Sequence, residues 1–427
     1  MNRVWKIEEQ TSTDIATTEL RVATTDFVGL PALTANRKYV LMMADDENFT
    51  TGLETRFFVN DGIYERASYN FDAIKYFTLA VSDVMFEDRS VDFDGVDDHI
   101  IVDNPQGLGS TFSASAWILS EGANSTNTER TIVAKRANGT GFQLSLRNDN
   151  RITLRWNGSS LEEIISNTSL SDGVWRHIGF SYDGSTAKIY IDGVLDIEAT
   201  LSAPVPDGNL LGIGARIDED ETAYDLFHGE IDEIRMWNKA LTENQIRFIM
   251  NQELIENANL VSGKTVPSTI TKNELDGLSW TSLSAYYSMN SFIGTSLNDE
   301  SVNEGYGRMA NESYFELKTQ SAPLPYKSIG AGDWENTSSW ENGSILYTPG
   351  STRVINGIVE KINWNIVKTN NEVTITNSDI TLLGLFVESN EMNVDNDHGL
   401  TITHVLDLQG SIDLKGESQL IQTTDSD

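Results

Sequence analysis

Apolar and polar residues alternate with a period of two along most of the chain, in short runs rich in Val, Ile, Thr and aromatic residues. Asn, Asp and Gly separate the runs. A period of two turns every second side chain to the same face of a strand, so the pattern predicts an all-β protein. Residues 1–88 carry about seven such runs, among them RVWKIEE, YVLMMADD and KYFTLAVS, and read as a small β-sandwich. Residues 89–258 carry the longest series, from SVDFD to GEIDEIRMW. Within it Ile178, Phe180 and Tyr182 fall on one face, and Asp192-Gly193 reads as a two-residue type I′ hairpin turn. The period changes once. LTENQIRFIMNQEL places Ile246, Ile249 and Met250 on one helical face behind Thr242 as N-cap.

Residues 259–326 read as a connecting segment, stiffened near its end by Pro323 and Pro325. Residues 327–427 return to very short strands with Asn or Gly at nearly every corner. That pattern suggests a truncated parallel β-solenoid. No repeat period is visible, so a sandwich stays open as the alternative.

Composition narrows the partners. Asp and Glu number 64 against 30 Lys and Arg, a formal charge of −34, and no basic cluster interrupts it. Such a chain repels nucleic-acid phosphates and anionic membranes, so neither nucleic-acid binding nor membrane insertion is expected. No apolar run approaches the length of a spanning helix. Cysteine is absent, which removes disulfides, thiolate metal sites and cysteine nucleophiles. The first residues lack the apolar core of a signal peptide and read as a strand, as expected of an excerpt from a longer chain.

Six motifs in order carry a resemblance: SVDFDGVDDHIIV, FSASAWI, TIVAKR, DGVWRHIGFSYDG, AKIYIDGVL and GEIDEIRMWNKALTENQI. Together they make residues 89–258 resemble the laminin-G-like, concanavalin A-like jelly-roll domains of bacterial secreted proteins. The flanking segments resemble parts of very large cell-surface proteins of the Bacteroidetes. The resemblance implies a multidomain extracellular protein exported by the type IX route, with neighbouring domains of a longer chain as partners. It also implies a structural Ca²⁺ between the first and last strands. The implied ligands are Asp94 and Asp232, then Asp97, Asp98 and the carbonyl of Gly95. Hard carboxylate and carbonyl oxygens are what Ca²⁺ requires. A turn in which Asp97 and Asp98 serve only as caps is the structural alternative.

Glycoside hydrolases of this fold place three acids on one strand as E-x-D-x-E. In GEIDEIRM, Glu230 and Asp232 share a face, Ile234 takes the third place, and Glu233 falls on the opposite face. VLDIEAT offers Asp196 and Glu198 behind Val194. Neither completes the set, so no catalytic residue is assigned and an enzyme is not expected. The five histidines show no zinc spacing, and His177 reads as structural. Trp117, Trp175 and Trp237 read as core. Trp156 ends a strand beside Arg155 and Asn157, and Tyr224 sits in an acidic loop. These four residues are the candidates for stacking on, and hydrogen bonding to, a sugar. The reading is an adhesin- or lectin-like module that binds a glycan or a cell-surface protein. A spacer without ligand and an unrecognised glycoside hydrolase are the alternatives.

Overall fold

The computed structural model describes residues 3–423 apart from 9–16, 27–32, 34–36, 61, 72–73, 87, 104, 108, 124–128, 138–139, 159, 206–207, 271, 273, 311–315, 342–345 and 356. The fold is all-β, as the alternation predicts, and its centre is a concanavalin A-like sandwich of a ten-stranded and an eight-stranded sheet. Ile178, Phe180 and Tyr182 do share a face, and all three lie in the core between these sheets. Asp192 and Gly193 both take positive φ, 49° and 79°, which a type I′ turn demands. The helix Glu243–Met250 starts with Thr242 and Gln245 in a reciprocal capping box. It lays Ile246, Ile249 and Met250 on the outer face of the eight-stranded sheet, where the Trp117 indole donates to the Met250 carbonyl at 2.7 Å.

The N-terminal part is a small sandwich of a four- and a three-stranded sheet around Leu41, Met43, Phe58 and Tyr69. The C-terminal part is a parallel β-solenoid. Leu400 stands opposite Leu420 and Met392 opposite Ile412, so the coil repeats every twenty residues here. Earlier coils differ in length, with Val367 opposite Leu385 but Tyr326 opposite Val367, and this drift hides the period from the sequence. Trp334, Trp340 and Trp364 of this part pack with Trp117 and Trp175 of the sandwich in one cluster.

Residues 259–326 are not a connector. Leu283–Tyr287 pairs with His228–Trp237, and Glu316–Thr319 pairs with Arg89–Asp94. Ser291–Ile293, Ser296–Leu297 and Gly307–Ala310 extend the ten-stranded sheet, whose last strand is Met85–Phe86. The cut at residue 88 therefore falls just inside the sandwich. These strands are two to five residues long, too short for alternation to reveal them.

Candidate functional site

The acidic turn joins Arg89–Asp94 to His99–Val102. Gly95 supplies a φ of 71° at the corner. The Asp94 Oδ1 accepts from the backbone N–H groups of Val96, Asp97 and Asp98 at 2.7, 3.1 and 3.4 Å, and Asp98 Oδ2 accepts from the Asp94 N–H at 3.1 Å. Oxygens of Asp94, Asp97 and Asp98 come within 4.8 Å of one another. Asp97 Oδ1 is buried without a hydrogen-bond partner. Hard oxygens held this close, one of them unsatisfied, fit a Ca²⁺ ion.

Asp232 does not join them. Asp94 stands opposite His228, so Asp232 lies four residues further along the same strand, roughly 13 Å away at strand rise. It stands opposite Trp117, beneath the helix. A bulge at Glu233, with φ 52°, turns Asp232 and Glu233 to that same side while Ile231 and Ile234 both enter the core. Simple alternation, which sends Glu233 to the opposite face, fails at this bulge. Asp232 is fully buried; its Oδ1 accepts from the Glu233 N–H at 2.8 Å and its Oδ2 has no partner. Burial, reinforced by the nearby Glu233 charge, pushes its carboxyl well above the usual range. Glu230 is half-buried and accepts from Ser90 at 2.5 Å. The fully buried Asp232 is not placed to reach a glycosidic bond. His177 is buried with both ring nitrogens unpaired, and burial holds its pKa down near 3.

Linkage gives Asp232 a sign. A carboxyl whose folded pKa is raised stabilises the fold below its unfolded pKa of about 4 and loses that contribution as pH rises through the folded value. Asp232→Asn keeps the Oδ1 acceptor and removes the charge. Its urea-derived stability is expected to fall less than the wild type's between pH 5 and pH 8. Parallel losses would show that Asp232 does not titrate in this way.

Trp156 is also corrected. Strand alternation sends it inward, fully buried among Phe112, Tyr182 and Phe142, with its indole donating to the Ser202 carbonyl at 2.8 Å. It cannot stack on a sugar. Its neighbours Arg155 and Asn157 belong to the other face, and there Arg155 enters a ladder of polar groups. Arg155 pairs with Glu129, and with Glu163 at 2.7 Å. Ser145 donates to Glu129 at 2.9 Å and Thr153 to Glu163 at 3.3 Å. Gln143 stands directly opposite Arg155. It accepts from Arg136 at 3.1 Å and donates to Thr131 at 3.0 Å and to Asp225 at 3.4 Å. Asp225 faces Arg216 at 3.5 Å, and the Arg216 guanidinium covers one face of Tyr224 at 4.5 Å from the ring centre. Tyr224 remains 41% exposed.

The structure thus links Arg155 and Tyr224, which lie far apart in sequence, across the outer face of the ten-stranded sheet. Arg136, Gln143, Glu129, Glu163, Arg216 and Asp225 escaped the sequence reading. The available signal was the run of polar residues at every second position in GFQLSLR and RITLRW. Arg136, Arg155 and Arg216 lie among the carboxylates of Glu129, Glu163, Asp218 and Asp225, so the face offers charged donors and acceptors in nearly equal number.

No curated protein matches the chain significantly. Among solved structures, a protein from Bacteroides ovatus described as carbohydrate-binding is 16% identical over 74% of this chain and 96% of its own, with a TM-score of 0.40. Domain 4 of an extracellular arabinanase from Geobacillus stearothermophilus, solved with arabinotriose, is 22% identical over 39% of this chain and 80% of its own, TM-score 0.32. The carbohydrate-binding module of a Ruminococcus gnavus sialidase, bound to α2,3-sialyllactose, is 14% identical over 38% and 94%, TM-score 0.28. Residues 94–247, the stretch from the acidic turn to the helix, match the family model of the concanavalin A-like lectin/glucanase superfamily.

Proposed function

We propose that the chain is a non-catalytic carbohydrate-binding module of a bacterial surface protein, and that it recognises a neutral glycan on the outer face of the ten-stranded sheet. The observation that carries this reading is the polar ladder from Arg155 to Tyr224. Its paired charges are held in place before any ligand arrives, so little ordering is needed on binding. Sugar hydroxyls both donate and accept, which suits mutually neutralised carboxylates and guanidinium groups. Tyr224 supplies an exposed ring at the rim. The lectin/glucanase match over residues 94–247 supports the same class, and the burial of Asp232 supports binding without hydrolysis. Among the described residues no helix is long and apolar enough to cross a membrane. The docked solenoid favours a second reading, in which the chain serves chiefly as a rigid spacer.

The test is a glycan array probed with the intact chain and with Arg155→Ala and Tyr224→Ala. Selective binding that falls roughly tenfold or more in each variant, with each variant still melting cooperatively well above the assay temperature, is expected. Equal binding by wild type and both variants would remove this face from the account. A blank array would favour the spacer.

The proposal includes a structural Ca²⁺ at Asp94, Asp97 and Asp98. Ca²⁺ at about a hundred times its Kd would add about 2.7 kcal/mol of stability. A melting-temperature rise in Ca²⁺ that disappears in Asp97→Asn is expected. Equal melting in Ca²⁺ and in EDTA would contradict the ion.

A further inference from the structure

A second concave site lies away from the polar ladder, where the N-terminal sandwich meets the central one. Thr55 of the strand Glu54–Phe57 fixes that junction. Its hydroxyl donates to the Ile293 carbonyl at 2.6 Å and accepts from the Thr295 N–H at 3.1 Å, while its carbonyl accepts from Ser296 at 2.7 Å. Val40, Phe57, Val84 and Ile293 close an apolar cluster beneath it. Beside this fixed joint opens a cleft of about 270 Å³. Neither sandwich forms it alone. One wall comes from Arg56, Arg66 and Ser68, the other from Gln106, Tyr306 and Arg308.

The chemistry of the cleft is unusual for so acidic a chain. Three of its guanidinium groups converge here. Arg308 is held by Asp103 at 3.0 Å and by Glu221 at 2.7 Å, Arg66 lies 3.4 Å from Glu19, and Arg56 lies 3.2 Å from Glu54. The Arg56 Nε is buried without a hydrogen-bond partner. The Tyr306 ring lies 4.5 Å from that of Phe57, tilted by 35°. Paired guanidinium and carboxylate groups around an aromatic ring, in a preformed hollow at the small end of ligand pockets, suit a small polyhydroxylated molecule. A phosphate or polyanion is disfavoured, because Glu19, Asp103 and Glu304 share the lining.

We infer that this interdomain cleft is a second carbohydrate site, which takes one end of a neutral oligosaccharide and makes the chain bivalent. The inference rests on the carbohydrate reading above but on different residues. Two sites on one rigid body raise avidity for a polymeric glycan without new contacts at either site.

Separate variants test it. The intact chain is titrated by calorimetry with neutral trisaccharides of glucose, mannose, xylose, arabinose and N-acetylglucosamine. Ser68→Phe fills the cleft from a partly exposed strand position, and Gln106→Ala trims an exposed loop residue. Wild type is expected to bind two equivalents of a recognised trisaccharide, Ser68→Phe one, and Gln106→Ala to weaken one site roughly tenfold. One equivalent in the wild type, lost in Arg155→Ala and retained in Ser68→Phe, would overturn the cleft and leave the sheet-face site standing. Loss in Ser68→Phe alone would do the reverse. Absence of binding to every trisaccharide would overturn both.

Discussion

A polypeptide cut to residues 89–258 is expected not to form a stable monomer, although it holds the whole segment that matches the lectin/glucanase family. The cut removes Glu316–Thr319 from beside Arg89–Asp94, Leu283–Tyr287 from beside His228–Trp237, and Gly307–Ala310 from beside His99–Val102. It also takes Tyr287, Met289 and Leu297 out of the central core, where all three are fully buried. Trp117, Trp175, Val194 and Met250 lose the solenoid that covers them. The product has three new unpaired edges and a large exposed apolar face, both of which promote association. Size-exclusion chromatography and thermal unfolding are the readouts. Aggregation, or a broad transition with dye-accessible apolar surface, is expected. A monomer melting cooperatively within a few degrees of the intact chain would contradict the assigned boundaries.

Arg235→Ala is expected to cost about 3–5 kcal/mol, the usual loss when one partner of a buried ion pair is removed. Arg235 is fully buried between the central sandwich and the helix. Its Nε donates to Glu233 at 3.1 Å, and its two terminal nitrogens donate to the carbonyls of Ile249 and Gln252 at 2.7 and 2.6 Å. Glu233 in turn accepts from the Tyr286 hydroxyl at 2.9 Å, and that oxygen accepts from the Leu254 N–H at 3.1 Å. One guanidinium therefore ties the end of the helix to the bulged strand and to the strand Leu283–Tyr287. Alanine would leave the Glu233 carboxylate buried with the Tyr286 hydroxyl but no opposite charge, and would take one donor from each of the Ile249 and Gln252 carbonyls. Urea unfolding measures the loss. The pair Arg235→Met with Glu233→Gln is expected to recover part of it, because no lone charge stays buried. An alanine variant within 1 kcal/mol of wild type would mean that water reaches the site.

The legible parts of this molecule were those governed by local chemistry. Thr242 marks the helix start because an N-cap acts within its own first turn, and the structure adds Gln245 as its reciprocal partner. Asp192-Gly193 marks a turn because few residue pairs tolerate positive φ twice. What escaped depends on distant partners. Residues 291–310 become strands because the edge of the sandwich offers them hydrogen bonds, not because their own pattern is strong. Trp156 looked available for stacking only because it ends a strand. Its own alternation, read through Ile152 and Leu154, already placed it inside. The bulge at Glu233 left no mark that could be read, since a non-glycine residue there adopts φ 52° under tertiary constraint. The acidic turn was legible as Asp94, Asp97 and Asp98, but Asp232 was joined to it through resemblance, and strand register separates them.

The central claim, glycan recognition on the Arg155–Tyr224 face, is tested most directly by carboxyl footprinting. The intact chain is labelled with a water-soluble carbodiimide, with and without a saturating neutral oligosaccharide selected on the array. Glu163 and Asp225 flank Arg155 and Tyr224 and keep about a third and a quarter of their side-chain surface exposed, so both can report. Slower labelling of these two carboxylates in the presence of sugar is the predicted result. Unchanged labelling at both, with sugar bound, would contradict the account.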